Sequence, residues 1–204
     1  ASTFYYLGTG SVEWSGLDGL GQQLGTVYFN SSYEAIDAYV QAVQTYGLRM
    51  SSGPGAGTLA SLTFTGVEAL DLTGSGAANG SDLMFVLGQG SYDGKLGVDT
   101  LYADLSAMTT AVVFDADSDQ TYSYLGNEFT DFERFLIRTG SGNDQIDTAS
   151  FAYDDWLSLG SGDDAVYSGA GNDTVDTGDG NDYIEAGTGQ NAVVAGRGVD
   201  TVSY

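Results

Sequence analysis

Asp144, Asp164, Asp173, Asp182, Asn191 and Asp200 each stand two residues after the second member of a glycine pair: Gly140 and Gly142, Gly160 and Gly162, Gly169 and Gly171, Gly178 and Gly180, Gly187 and Gly189, Gly196 and Gly198. Carboxylates at a fixed distance behind paired glycines suit a hard divalent cation. Ca²⁺ takes six to eight oxygens at about 2.3–2.6 Å and accepts backbone carbonyls beside carboxylates. Glycines two apart let the chain enter dihedrals that a Cβ forbids, so a tight concave turn can aim its carbonyls inward.

These residues belong to a nine-residue phrase that runs from Thr139 to Ser203, as in SGAGNDTVD and TGDGNDYIE. Glycine holds positions two and four, the acidic residue position six, and Ile146, Val166, Val175, Ile184, Val193 and Val202 position eight. Positions seven to nine read as a short strand whose middle residue points inward. Two phrases make one coil, which stacks position six of each repeat over that of the next but one, about 4.8 Å away. Bare carboxylates at that distance repel, and a shared cation resolves the conflict. The expected ion-sharing pairs are Asp144 with Asp164, Asp155 with Asp173, Asp164 with Asp182, Asp173 with Asn191 and Asp182 with Asp200, the Asn191 site being weakest. Asp155 enters through TASFAYDDWLS, a turn with two extra residues that supplies the missing face of its coil.

The phrase resembles the RTX repeat, the glycine and aspartate nonapeptide of secreted bacterial toxins, proteases, epimerases and large adhesins. That resemblance implies a Ca²⁺-loaded parallel β-roll holding several ions, export by type I secretion, and an extracellular or bacterial cell-surface location. The sequence departs from the family pattern at position one, which is never glycine here.

Composition agrees with a cation-dependent fold. The 204 residues carry 28 acidic and 5 basic side chains, a formal charge of −23, with no cysteine and no histidine. Such a chain repels itself, yet 42% hydrophobic residues and 14 tyrosines are not the composition of a disordered acidic tail. Bound cations are expected to neutralise the folded form. Five scattered cations, Arg49, Lys95, Arg134, Arg138 and Arg197, make no basic face for nucleic acid or an anionic membrane, and no apolar run is long enough to span a bilayer. Without histidine or cysteine, serine-triad, thiol and zinc chemistry lack their usual groups, and a non-enzymatic role is expected.

Three regions follow. Residues 1–60 read as aromatic strands and a helix, with Ser31 and Glu34 at capping-box spacing, Ile36, Tyr39, Val40 and Val43 on one face, and Gly47 at its end; the helix is expected to cover the open first coil. Residues 61–138 read as degenerate coils. There Asp82 and Asp99 occupy position six behind Gly80 and Gly97, and FTGVEALDLTGSG and FTDFERFLIRTGSG suggest an internal duplication. Residues 139–204 are the strict repeats. Asp115, Asp117 and Asp119 begin like an EF-hand loop, but Gln120 stands where glycine is needed; a further cation site and a solvated acidic loop both remain open.

The expected fold is all-β: a right-handed parallel β-solenoid with a small N-terminal β/α cap. Tyrosine-rich interruptions of the solenoid are expected to carry ligand contacts, from Ser91, Tyr92, Asp93 and Lys95 on one loop and Asp117 and Asp119 on another. The order of parts also resembles the peptide-binding domain of large RTX adhesins. That implies a peptide or protein C-terminus on another cell surface as partner, bound by a monomeric module of a longer chain. A carbohydrate-binding module, a calcium-stiffened spacer and an accessory module of a polysaccharide epimerase are the alternatives.

Overall fold

In a computed structural model, residues 90–116 and 126–204 are described without a break, together with 83–86, 122–124 and short pieces at 2–3, 6–7, 16–17, 32–34, 36, 49–50, 63–64 and 70–73. The N-terminal pieces are β1 (Ser2–Thr3), β2 (Tyr6–Leu7), β3 (Gly16–Leu17), β4 (Arg49–Met50) and β5 (Thr63–Phe64). β1 pairs with β5 and β3 with β4, both antiparallel. Tyr33, Glu34 and Ile36 are helical, and the Ile36 N–H donates to the Ser32 carbonyl at 3.1 Å. The rest of the expected helix, from Tyr39 to Gly47, lies outside the described residues.

Alternation of apolar and polar residues then builds the solenoid. Its upstream rungs are β6 (Leu70–Thr73), β7 (Leu83–Phe85), β8 (Gly90–Asp93), β9 (Thr100–Asp104), β10 (Val113–Asp115), β11 (Tyr122–Tyr124), β12 (Asn127–Thr130) and β13 (Arg134–Arg138). The repeats add β14 (Gln145–Asp147), β15 (Trp156–Ser158), β16 (Ala165–Tyr167), β17 (Thr174–Asp176), β18 (Tyr183–Glu185), β19 (Ala192–Val194) and β20 (Thr201–Ser203). Consecutive repeat strands fall in different sheets. One sheet runs β19-β17-β15-β13-β9-β7-β2, a second β10-β14-β16-β18-β20, and a third β11-β12-β8-β6. All their pairings are parallel except β2 with β7 and β11 with β12. This is the architecture of a parallel β-roll.

Position eight forms the core between the sheets. Ile146, Leu157, Val166, Val175 and Ile184 are fully buried, whereas Val202 on the last rung is 38% exposed. Each buried aliphatic contributes about 1.5–3 kcal/mol, a small sum for so long a structure. Upstream the core widens to rings: Phe114 lies 5.7 Å from Phe135 and 6.0 Å from Phe129. Position one explains its own departure from glycine. The hydroxyls of Thr139, Ser168 and Thr177 donate to the carbonyls of Leu159, Ala186 and Ala195, the same position one coil later, at 2.8, 3.2 and 3.2 Å.

Four features differ from expectation. Ser91, Tyr92 and Asp93 are not on a loop; they form β8, a regular rung paired with β6 and β12. Tyr92 is wholly buried and stacks on Phe129 at 5.4 Å, so it packs the core and faces no ligand. The Ser-Tyr-Asp alternation is strand periodicity, which the flanking glycines conceal. Secondly, β10 is out of chain order. It pairs with β14, while β12, later in the chain, pairs back with β8, so both strands are rungs of the solenoid. Thirdly, the start of the helix lies on a sheet flank. Tyr33 stacks on Trp156 of β15 with centroids 3.3 Å apart and on Tyr102 of β9 at 5.8 Å, while antiparallel β2 covers the sheet edge at β7. Finally, the two segments that read as duplicates are used differently. LDLT of the first is β6 in the four-stranded sheet, whereas RFLIR of the second is β13 in the seven-stranded one.

Candidate metal centre

The turns between strands stack as closely as the strands. Ser161, Asp179 and Arg197 donate their N–H groups to the carbonyls of Gly140, Gly160 and Gly178 at 2.9–3.0 Å. At the glycine positions a side chain has no place in that stack. Gly162 sits at φ +135°, and a Cβ on Gly180, whose φ is not positive, would overlap the Gly162 carbonyl oxygen below it. The glycines are required by close approach between coils as much as by left-handed backbone.

Against these turns the position-six carboxylates form two ladders. On one, Val112, Asp144, Asp164 and Asp182 donate their N–H groups to Oδ1 of Asp144, Asp164, Asp182 and Asp200, at 2.8, 2.7, 2.9 and 3.1 Å. On the other, Phe135, Asp155 and Asp173 donate to Oδ1 of Asp155, Asp173 and Asn191, at 2.8, 2.9 and 3.0 Å. The structure thus brings together all five pairs expected to share ions. Each ladder begins on the N–H of an apolar residue, Val112 or Phe135.

Oδ2 of Asp144, Asp155, Asp164, Asp173 and Asp182 is buried without a hydrogen-bond partner, a condition costly for an anion unless a cation meets it. Burial raises the carboxyls of Asp155, Asp164 and Asp173; like charge from Asp144, Asp182 and Asp163 adds to the effect on Asp164, which reaches about 7. Among the described residues no three acidic side chains converge on one point, so an ion here would complete its shell with backbone carbonyls and water. That donor set, orphaned carboxylate oxygens beside glycine-turn carbonyls, fits Ca²⁺. Asn191 brings no charge, and its Nδ2 donates to the Ala186 carbonyl at 2.6 Å.

Two arrangements were not anticipated. Position five forms two further ladders on the exposed edges: in one, Asn143 Oδ1 accepts from Asp163 N–H at 3.1 Å and Asp163 Oδ1 from Asn181 N–H at 2.8 Å, and in the other Asp154 Oδ1 accepts from Asn172 N–H at 2.7 Å. The signal was present in the Asn or Asp before most position-six residues. Asp99, expected as a position-six ligand, is buried, but its upstream ladder is separate. Its N–H donates to Glu133 Oε2 at 2.7 Å. β13 pairs Arg134–Arg138 with all of β9 but only Leu136–Arg138 with β15, which sets Glu133 two residues off the Asp155 register. Asp82, Asp117 and Asp119 lie outside the described residues. Lys95 is exposed and ion-paired with Asp93.

Parallel coils with stacked acidic glycine turns define a calcium-binding β-solenoid. Residues 140–175 and 167–202 match the family described as the RTX calcium-binding nonapeptide repeat, whose pattern spans four copies. Residues 140–202 are thus a run of RTX repeats, and such nonapeptides bind several Ca²⁺ ions. No curated protein and no solved structure matches the chain. The residues that would hold the ions are Asp144, Asp155, Asp164, Asp173, Asp182, Asn191 and Asp200 with the carbonyls of their glycine turns.

Proposed function

We propose that this chain is an extracellular, calcium-dependent adhesion module that recognises a peptide or protein C-terminus, without catalytic activity of its own. The calcium roll is the rigid base, and recognition sits where the chain departs from the repeat. The observation that carries this reading is backbone strain at one place. Among the described residues the non-glycine positions with positive φ are Lys95 at +73° and Asp131 at +56°, and they are neighbours: Gly94 N–H bonds the Thr130 carbonyl at 3.0 Å, and a Cβ on Gly94 would overlap the Asp131 carbonyl. Strain of this kind is retained at ligand clamps and switch regions. Lys95 stands on that turn as an exposed ammonium that a ligand carboxylate can take over from Asp93.

Exported to millimolar calcium, the repeats would fill and the roll would fold; scarce intracellular calcium would leave it open. The test is capture of short peptides with free or amidated C-termini, beside a sugar panel, in calcium and in EDTA. Calcium-dependent capture of free-carboxylate peptides alone, weakened by Lys95→Ala with calcium melting unchanged, is the expected result. Sugar binding would establish a lectin instead, and silence on both arrays a calcium-stiffened spacer.

A further inference from the structure

The outer faces of the two long sheets differ in how they treat charge. On the seven-stranded sheet, Asp104, Arg138, Ser158 and Asp176 follow one another in register, so an arginine is the cross-strand partner of Asp104 and stands two rungs from Asp176. Its neighbouring column, Tyr102, Leu136 and Trp156, is covered by Tyr33. On the five-stranded sheet the equivalent column is Asp115, Asp147, Tyr167, Glu185 and Ser203. This column holds three carboxylates and no basic residue.

Asp115 and Asp147 are direct cross-strand neighbours, a like-charge pairing that destabilises a sheet. Burial, with Asp115 and Glu185 in the same column, raises the Asp147 carboxyl. Beside them lies an aromatic ledge. Tyr167 and Tyr183 have centroids 5.7 Å apart, Tyr183 is 37% exposed, and its hydroxyl donates to Glu185 Oε2 at 3.3 Å. Five strands at about 4.8 Å make this face about 19 Å long, room for an extended segment of several residues.

We propose that the outer face of the five-stranded sheet docks a basic polypeptide segment of a partner protein. Its Lys or Arg side chains meet Asp115, Asp147 and Glu185 and lie against the rings of Tyr167 and Tyr183, which attract cations over their faces. The segment supplies the positive charge that Arg138 supplies on the opposite sheet. This surface is distinct from the strained Lys95 turn and stands or falls separately from recognition there.

The test uses the calcium-loaded chain and a fluorescent peptide of alternating Lys and Thr, read by anisotropy at low salt. Because the whole protein is acidic, the decisive comparison is between two double variants that remove equal charge: Asp147→Asn with Glu185→Gln on this face, and Asp104→Asn with Asp176→Asn on the other. The first should weaken binding about tenfold, as expected for the loss of two partly exposed ion pairs, and the second less than twofold, both with parental calcium melting. Tyr183→Ala should weaken it about threefold. Equal losses from the two double variants, or equal binding of a Ser and Thr peptide of the same length, would overturn the proposal.

Discussion

Asp173 sits at the middle of its ladder, accepting from Asp155 N–H and donating its own to Asn191. Its Oδ2, buried without a hydrogen-bond partner, would help to hold the ions of this ladder, and Asp173→Ala should lower stability in calcium by about 2 kcal/mol, or about 4–8 °C in melting temperature for a chain of this size. Melting by circular dichroism checks this, and an unchanged transition would contradict the stacking register. Asn191→Asp makes the opposite change. In calcium it should raise the melting temperature by a few degrees, because a second carboxylate joins the Asp173 site; in EDTA it should lower it, because a half-buried charge is added beside Asp173 without a cation. Calorimetry should show the two signs, and a shift in the same direction under both conditions would exclude Asn191 as a ligand position. These residues were legible in the sequence because the contacts that select them repeat every nine residues. Glu133 was not: one longer side chain and a two-residue change of register take Asp99 out of the period.

At the level of elements, local pattern determined each rung but not the order of rungs. Val-Phe-Asp in β10 and Asn-Glu-Phe-Thr in β12 both carry an inward phenylalanine, so nothing local says that β10 pairs forward with β14 and β12 back with β8. That choice is made in the core, where Phe114 meets Phe129 and Phe135. The Tyr92 strand was hidden in the same way, since its burial depends on Phe129, far along the chain. The outer flank has its own dependence: Tyr33 joins β9 to β15 through Tyr102 and Trp156. Trp156→Ala should cost about 3 kcal/mol through this lost packing, while calcium titration of the folded variant should retain its stoichiometry because Asp155 is unchanged. Loss of one calcium equivalent instead would show that the stack positions a ligand and does not only hold the flank.

For the whole molecule, a charge of −23 and a row of buried carboxylates make protons and calcium alternative neutralisers. Burial raises Asp155, Asp164 and Asp173 in the folded state, Asp164 to about 7, against about 3.9 in an unfolded chain. Between those values the metal-free folded form binds more protons than the unfolded form, so its stability falls as pH rises. In EDTA the melting temperature should therefore be highest near pH 4–5 and decline towards pH 8. In millimolar calcium the dependence reverses: the ions hold the charged carboxylates, protons compete with them, and stability is lost as pH falls below about 7. General surface repulsion would also make the metal-free form weaker at high pH, but about 1 M salt screens exposed charges beyond about 3 Å. A decline that persists in EDTA at high salt thus belongs to the buried ladders, and one that disappears there would assign the calcium dependence to net charge instead of to the orphaned oxygens.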